Sequence, residues 1–389
     1  MRFLTAVLLL VFSCGVAAGD EPKLLSRKLL DRDWIQLFDG QTLFGWQPTG
    51  EAAWDVADGT VRTRGEKPGF LMTTTEWGDF VLHLQFRAPA STNSGIFLRT
   101  PLEPKDPARD CYELNIAPAE NPFPTASLVG RQQAALPEAS FSEPDDWHTF
   151  DVTAEGGKIT IVLDGERVFE YGDRSPVRIG RIGLQSREGP VAFRHIRLRP
   201  LGLKPIFNGR DLEGWSTDRA ERSRFDVTED GELRVLDGPG QIDTRDDFAN
   251  FILQLECKTN DDGLNSGIFF RTLRNGRWVG YESQINNVYR DGDRTKPADF
   301  GTGGIYRRQP ARRVVADDRE WFTKTIVADG PHMAVWVNGY PVSDWTDGRP
   351  PHESAREGRR EGGGAIAIQG HDPTTDLLFR KLRAAELPR

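Results

Sequence analysis

The feature that most constrains this chain is that it repeats itself. Asn93-Ser94-Gly95-Ile96-Phe97-Leu98-Arg99-Thr100 returns as Asn265-Ser266-Gly267-Ile268-Phe269-Phe270-Arg271-Thr272. Each stretch reads as a polar turn feeding a β-strand, with Ile268 and Phe270 on one face and Phe269 and Arg271 on the other. The landmarks keep step. Phe38 and Phe207 are 169 positions apart, Asn93 and Asn265 are 172, and Tyr112 and Tyr281 are 169 again. A drift this small over so long a period means a duplicated domain with ordinary loop variation, not a solenoid.

Between these landmarks each half reads as strands joined by turns. Phe80, Leu82, Leu84 and Phe86 alternate with Val81, His83, Gln85 and Arg87. In the second half Phe251, Leu253, Leu255 and Cys257 alternate with Ile252, Gln254, Glu256 and Lys258. Late hairpins turn at Asp164-Gly165 and Asn338-Gly339, dipeptides suited to type I′ turns. Pro200 to Pro205 separates the halves. Many short strands with weak helical periodicity predict an all-β chain of two tandem jelly-roll sandwiches, residues 34–200 and 203–387.

A net charge of −8 argues against a nucleic-acid surface. Arg2, the apolar run Phe3 to Phe12 and the small residues Val16-Ala17-Ala18 read as an export signal over residues 1–18. Ser13-Cys14-Gly15 leaves lipidation of Cys14 as an alternative, which would make the chain a lipoprotein of the cell envelope. The apolar run is too short for a transmembrane helix, and no later stretch is apolar enough for one. Signal removal would leave Cys111 and Cys257 in non-equivalent places, which favours buried free thiols over a disulfide.

The openings Phe38-Asp39-Gly40-Gln41-Thr42-Leu43-Phe44-Gly45-Trp46 and Phe207-Asn208-Gly209-Arg210-Asp211-Leu212-Glu213-Gly214-Trp215, the repeated Asn-Ser-Gly-Ile-Phe strand and the Tyr112-Glu113 and Tyr281-Glu282 strands resemble the 3-keto-disaccharide hydrolase family. The resemblance covers nearly all of the chain after the signal. It implies the concanavalin A-like lectin/glucanase fold, with a concave sheet face that binds carbohydrate and acts on 3-keto sugars. Fold alone does not establish chemistry.

The second copy has the richer polar face. Alternation places Glu256, Arg271, Glu282, Gln284 and Asn286 on polar sides of their strands. Asn265 lies in the turn, and Tyr306 and His371 come from later segments. Convergence of Glu256, Arg271 and Glu282 is the expectation, against the plainer reading of solvated residues on an open sheet. The first copy keeps Arg99 and Glu113, but has Gln85 for Glu256, Asn115 for Gln284, and Ser186 or Arg187 near the place of His371. It is therefore expected to be degenerate or ligand-holding, because an amide cannot act as a base.

No paired-carboxylate run of the glucanase kind occurs, which disfavours direct hydrolysis of ordinary glucans. A 3-keto sugar needs less, because its ketone acidifies the hydrogen on C2. The resemblance then implies elimination followed by hydration, with Glu256 or Glu282 as base, Arg271 or a divalent metal as electrophile, and His371 as acid. Asn265, Gln284, Asn286, Tyr306, Arg99 and Glu113 would bind the sugar. No cofactor is specified, and His371-Asp372 with Glu256 is the set that would hold a metal. Asp291-Gly292-Asp293 reads as a turn. Trp147 and Trp321 read as core residues, and Trp278 and Tyr289 as stacking platforms. Two other readings compete with an exported enzyme: a non-catalytic carbohydrate-binding protein and a structural module of the envelope.

Overall fold

The computed structural model describes residues 21–135 and 146–388. The proposed export signal and Cys14 lie outside the described residues. Each half is a sandwich of an eight-stranded and a five-stranded antiparallel sheet, and no sheet crosses the Pro200–Pro205 linker. Both sandwiches have the jelly-roll architecture expected. No helix among the described residues is long and apolar enough to cross a membrane.

The alternating pattern does what its period predicts. Phe251, Leu253, Leu255 and Cys257 face the second core, together with Ile268 and Phe270 from the opposite sheet. Phe80, Leu82, Leu84 and Phe86 do the same in the first. Trp46 and Trp215 are buried and donate their indole N–H to the carbonyls of Leu37 and Ile206, at 2.6 and 2.8 Å, which ties each opening motif to its sandwich. Cys111 and Cys257 are both buried free thiols, as expected.

The halves pack on one another. Ile252, Val327, Ala334 and Trp336, on the outward side of the second eight-stranded sheet, join the first half's apolar cluster. The rings of Trp77 and Trp336 lie 5.6 Å apart. A strand face that looks half-polar in sequence is therefore buried by the neighbouring repeat.

Candidate functional site on the second five-stranded sheet

The strand Phe251–Thr259 pairs with Phe322–Asp329 and Asp376–Glu386 in the eight-stranded sheet. Ser266–Thr272 pairs with Tyr281–Ile285 and Ala365–Gly370 in the five-stranded sheet. The turn between them crosses the sandwich and does not close a hairpin. The expected meeting of Glu256 with Arg271 and Glu282 is therefore overturned, because the core lies between the sheets that carry them.

Glu256 points away from that core, is 3% exposed, and sits against the N-terminal segment. It accepts from Arg27 at 2.5 Å, Arg380 at 2.6 Å and Lys381 at 3.0 Å. Burial alone would raise its pKa, but the hydrogen bonds of Arg380 and Lys381 and the nearby charges outweigh it and hold the carboxyl below its ordinary value. A carboxylate clamped by three cations is a poor base. Gln85, its counterpart, accepts from Arg194 at 2.8 Å, so the amide in the first copy does not mark a lost base. Arg194 and Arg380 lie over the half-buried Trp147 and Trp321, at 3.9 and 4.0 Å from the ring centres.

Arg271 is no electrophile for a sugar either. At φ +50°, on a bulge, it is fully buried and donates to the carbonyls of Ala249, Gly330 and Arg360 at 2.6–2.9 Å. Arg99, at φ +51°, does the same with Gly78, Gly156 and Val177 and pairs with Asp79. The left-handed bulge turns the side chain inward, against the simple alternation read from the sequence. Both arginines rivet loops to the sheet end and do not face a ligand.

What remains is the outward face of the five-stranded sheet. Strand pairing sets Gln284, Gly267, Gln369 and Gln241 in one row, and Glu282, Phe269, Ala367 and Asp243 in the next. A Cβ at Gly267 would collide with the Glu282 carboxylate, which explains the glycine of the repeated motif. Ser266 donates to the carbonyl of Gln369 at 2.7 Å, as Ser94 does to Gln185. The segment Thr302–Tyr306 runs beside the Glu282 strand, with the Tyr306 N–H donating to the Glu282 carbonyl at 2.9 Å. Tyr306 is half-buried, and its ring packs on Phe300 at 5.2 Å.

Glu282 is buried under these loops, and none of the described residues hydrogen-bonds its carboxyl. Desolvation pushes it up to about 8, against the pull of Lys324, Arg356 and Arg307 and with the push of Asp299. Asp299 accepts from Asn265 and Gln284, both at 2.8 Å. The amide oxygens of Asn265, Gln284 and Gln369 are buried without a hydrogen-bond partner among the described residues. Asn286 is spent on its own turn, accepting from the Val288 N–H at 3.0 Å.

His371 bonds Asp372 at 2.7 Å and stacks on Trp278, with ring centres 6.2 Å apart and planes 9° from parallel. It is two strands and four residues from Glu282, roughly 16 Å at ordinary sheet spacings. It therefore cannot share a bond with that carboxylate, and the acid role expected for it is not supported. Nor does it meet Glu256. No group of three or more His, Cys, Asp or Glu that could hold a metal forms among the described residues. Trp278, Asp299, Phe300 and Arg307 all have positive φ, at 57°, 41°, 68° and 57°. Strain of this kind in bulky residues is retained where surroundings over-determine it, often at binding sites. Tyr289, the other stacking candidate, lies under Arg294.

Sequence reasoning missed Gln241, Asp243 and Gln369 on this face; Gln241 and Asp243 bond each other, the Trp278 N–H and Arg219. The alternation Gln241-Ile242-Asp243 carried the signal, because the first copy has Phe70-Leu71-Met72 there. Glu113 occupies the place of Glu282, with its pKa raised by burial and partly offset by Arg187 and Gln185. A cleft of about 890 Å³ in the first half, lined by Trp54, Arg62, Lys67 and Arg87, is away from both carboxylates. Its Arg62 and Lys67 are paired to Asp55 and Glu51.

Residues 33–199 and 202–384 each match the family described as the 3-keto-alpha-glucoside-1,2-lyase-like domain. No curated protein matches the chain. Similar solved structures include a glycosyl hydrolase candidate from Parabacteroides distasonis, at 17% identity and TM-score 0.41, covering 46% of this chain and 100% of that one. The carbohydrate-binding module CBM66 from Bacillus subtilis shares 19% identity at TM-score 0.31, covering 39% and 94%. Lectin I-B4 from Griffonia simplicifolia shares 15% at 0.31, covering 40% and 92%. With both repeats matched over most of the sequence, the chain belongs to the 3-keto-alpha-glucoside-1,2-lyase-like family, in two tandem copies.

Proposed function

We propose that the chain cleaves 3-keto-glycosides by elimination on the outward face of the second sandwich, with Glu282 moving the proton. The observation that carries this reading is the Glu282 carboxyl itself: desolvated, free of hydrogen bonds from described residues, and flanked by the unpartnered amide oxygens of Gln284 and Gln369. A carboxyl raised toward neutrality is a stronger base when ionised than an ordinary one, and its protonated form is a usable acid.

The Glu282 carboxylate takes the hydrogen from C2, and the C–H electrons pass into an enediolate across C2 and C3. Arg307 and Arg356, whose charges already act on Glu282, are the cations suited to stabilising the oxygen at C3. When the ketone re-forms, the electrons make the C1–C2 double bond and the glycosidic C1–O bond breaks. The leaving oxygen takes its proton back from Glu282, so one carboxyl serves both ends of the step. Water then adds across the double bond and completes a net hydrolysis. Trp278 is stacked on His371 and lies under Arg277, 4.5 Å from the ring centre, so its ring is committed to protein contacts as Tyr289 is. Export of the chain, proposed from its N-terminal sequence, would place this activity outside the cytoplasm.

Incubation with a 3-keto-disaccharide and with its unoxidised parent tests the proposal. The expected result is release of the second sugar from the keto compound alone, with loss of turnover in Glu282→Gln. Cleavage of the parent at an equal rate, or full turnover by Glu282→Gln, would overturn it. Saturable binding of both sugars without turnover would favour the non-catalytic carbohydrate-binding reading.

A further inference from the structure

The second core contains a charge that the proposed reaction does not use. Lys324 projects inward from the strand Phe322–Asp329 of the eight-stranded sheet and is fully buried. Its ammonium crosses the sandwich and donates to the carbonyls of Ser283 and Gln284, both at 2.8 Å. These belong to the strand that carries Glu282, so the lysine grips that strand from inside while the carboxyl stands on its outer face. Among the described residues no carboxylate forms a salt bridge with it, and the two carbonyls are its acceptors. In the first sandwich the same inward position, opposite Leu84 as Lys324 is opposite Leu255, is Phe150. An apolar residue is thus compatible with this fold at this point. A buried lysine held only by carbonyls is costly, and replacing such a group by an apolar one is often neutral or stabilising.

We propose that Lys324 is a positioning residue for Glu282, fixing from inside the sandwich the strand that carries it, through its bonds to the Ser283 and Gln284 carbonyls. This rests on the reading of Glu282 as the group that moves the proton. The groups acting on Glu282 are Lys324 from the opposite sheet, Arg356 and Arg307 from the covering loops, and Asp299, which opposes them. Those acting on Lys324 are Glu282 and the Cys257 thiol on the adjacent strand. Burial pushes the lysine down to about 7, below the carboxyl, so where Glu282 ionises Lys324 acts through its two carbonyl bonds and not through charge.

The test is a carboxyl carbon NMR titration of the full chain without substrate, with the Glu282 resonance identified by its disappearance in Glu282→Gln. In Lys324→Met the strand loses its inner tether and the carboxyl takes up water, so the Glu282 midpoint should fall by about one pH unit or more toward the ordinary carboxylate range. Lys324→Gln, which keeps an amide donor for the carbonyls, should restore part of the shift. An unmoved midpoint in folded Lys324→Met overturns the proposal. Should that variant not fold, Lys324→Gln decides: its Glu282 midpoint must lie below that of the wild type, and an unmoved midpoint overturns the proposal. Since no sugar enters either titration, failure of the keto-sugar reaction and failure of this coupling are read separately.

Discussion

Phe150 and Lys324 hold the same inward position in the two sandwiches, one facing Leu84 and the other Leu255. In the first, Phe150 stacks on Phe86 at 4.8 Å and the core stays apolar. In the second, Cys257 and Lys324 replace that aromatic pair directly beneath the Glu282 strand. On the outward face, Phe70 and Met72 of the first copy stand where the second has Gln241 and Asp243. The two repeats share a carboxylate and differ in what surrounds it.

Chemistry confined to the second copy predicts an asymmetry. Glu282→Gln should reduce turnover of a 3-keto-disaccharide by about 10²–10⁴-fold, the usual contribution of a positioned acid–base group. Glu113→Gln should leave it within about two-fold. Steady-state rates of the two variants check this, and equal losses would mean that both faces work.

The sequence made the duplication, the sandwiches and the inward faces legible, because strand alternation has a period of two and both copies repeat it. It also offered Glu282 and Gln284, one residue apart on a polar row. It misplaced Glu256 and Arg271 for two physical reasons. Alternation says which way a side chain points from its own sheet, not which of two sheets the strand joins. The bulge at Arg271 then reverses its direction at φ +50°, which no local residue signals. Lys324 was invisible because its acceptors are carbonyls about forty positions away.

Glu256 should matter to stability and not to chemistry. Glu256→Gln leaves Arg27, Arg380 and Lys381 facing a neutral amide, at a cost of about 1–3 kcal/mol. Its folded pKa is depressed, so the wild-type contribution is present above the ordinary carboxylate pKa and lost as pH falls through the folded value. Thermal melts should show a lower midpoint for the variant at neutral pH and a narrowing gap in acid. Unchanged stability with lost turnover would return Glu256 to the active site.

Arg271→Lys should destabilise the second sandwich even though charge is kept. A lysine cannot reproduce the planar fork that reaches Ala249, Gly330 and Arg360, and each carbonyl left unpaired costs about 1–3 kcal/mol. Denaturant unfolding should report the loss, with kinetic constants of the folded fraction unaltered.

The N-terminal reading has its own test. Mass spectrometry of the exported protein should find a chain starting near Gly19, shortened by about eighteen residues as ordinary signals are. An acylated residue at Cys14 would show a lipoprotein instead.

Glu282 and Lys324 are two buried ionisable groups at one strand. Glu282 has a folded pKa of about 8, above that of a carboxyl in an unfolded chain. The folded protein therefore holds a proton that the unfolded chain gives up at about pH 4.3, and stability falls as pH rises from there through 8. Lys324 works in the opposite sense. Its folded pKa is about 7, below the ordinary lysine value of about 10.4, so stability rises with pH between those limits. Each contribution has a maximum slope of about 1.4 kcal/mol per pH unit. Glu282→Gln should therefore gain stability over wild type progressively from about pH 4 to pH 8 and keep the gain above it. Lys324→Met should show its largest gain below about pH 7 and none above about pH 10. Thermal melts of the three proteins across pH 4 to 10 check both curves. Profiles that run parallel to wild type throughout would mean that neither group is titrating inside the fold.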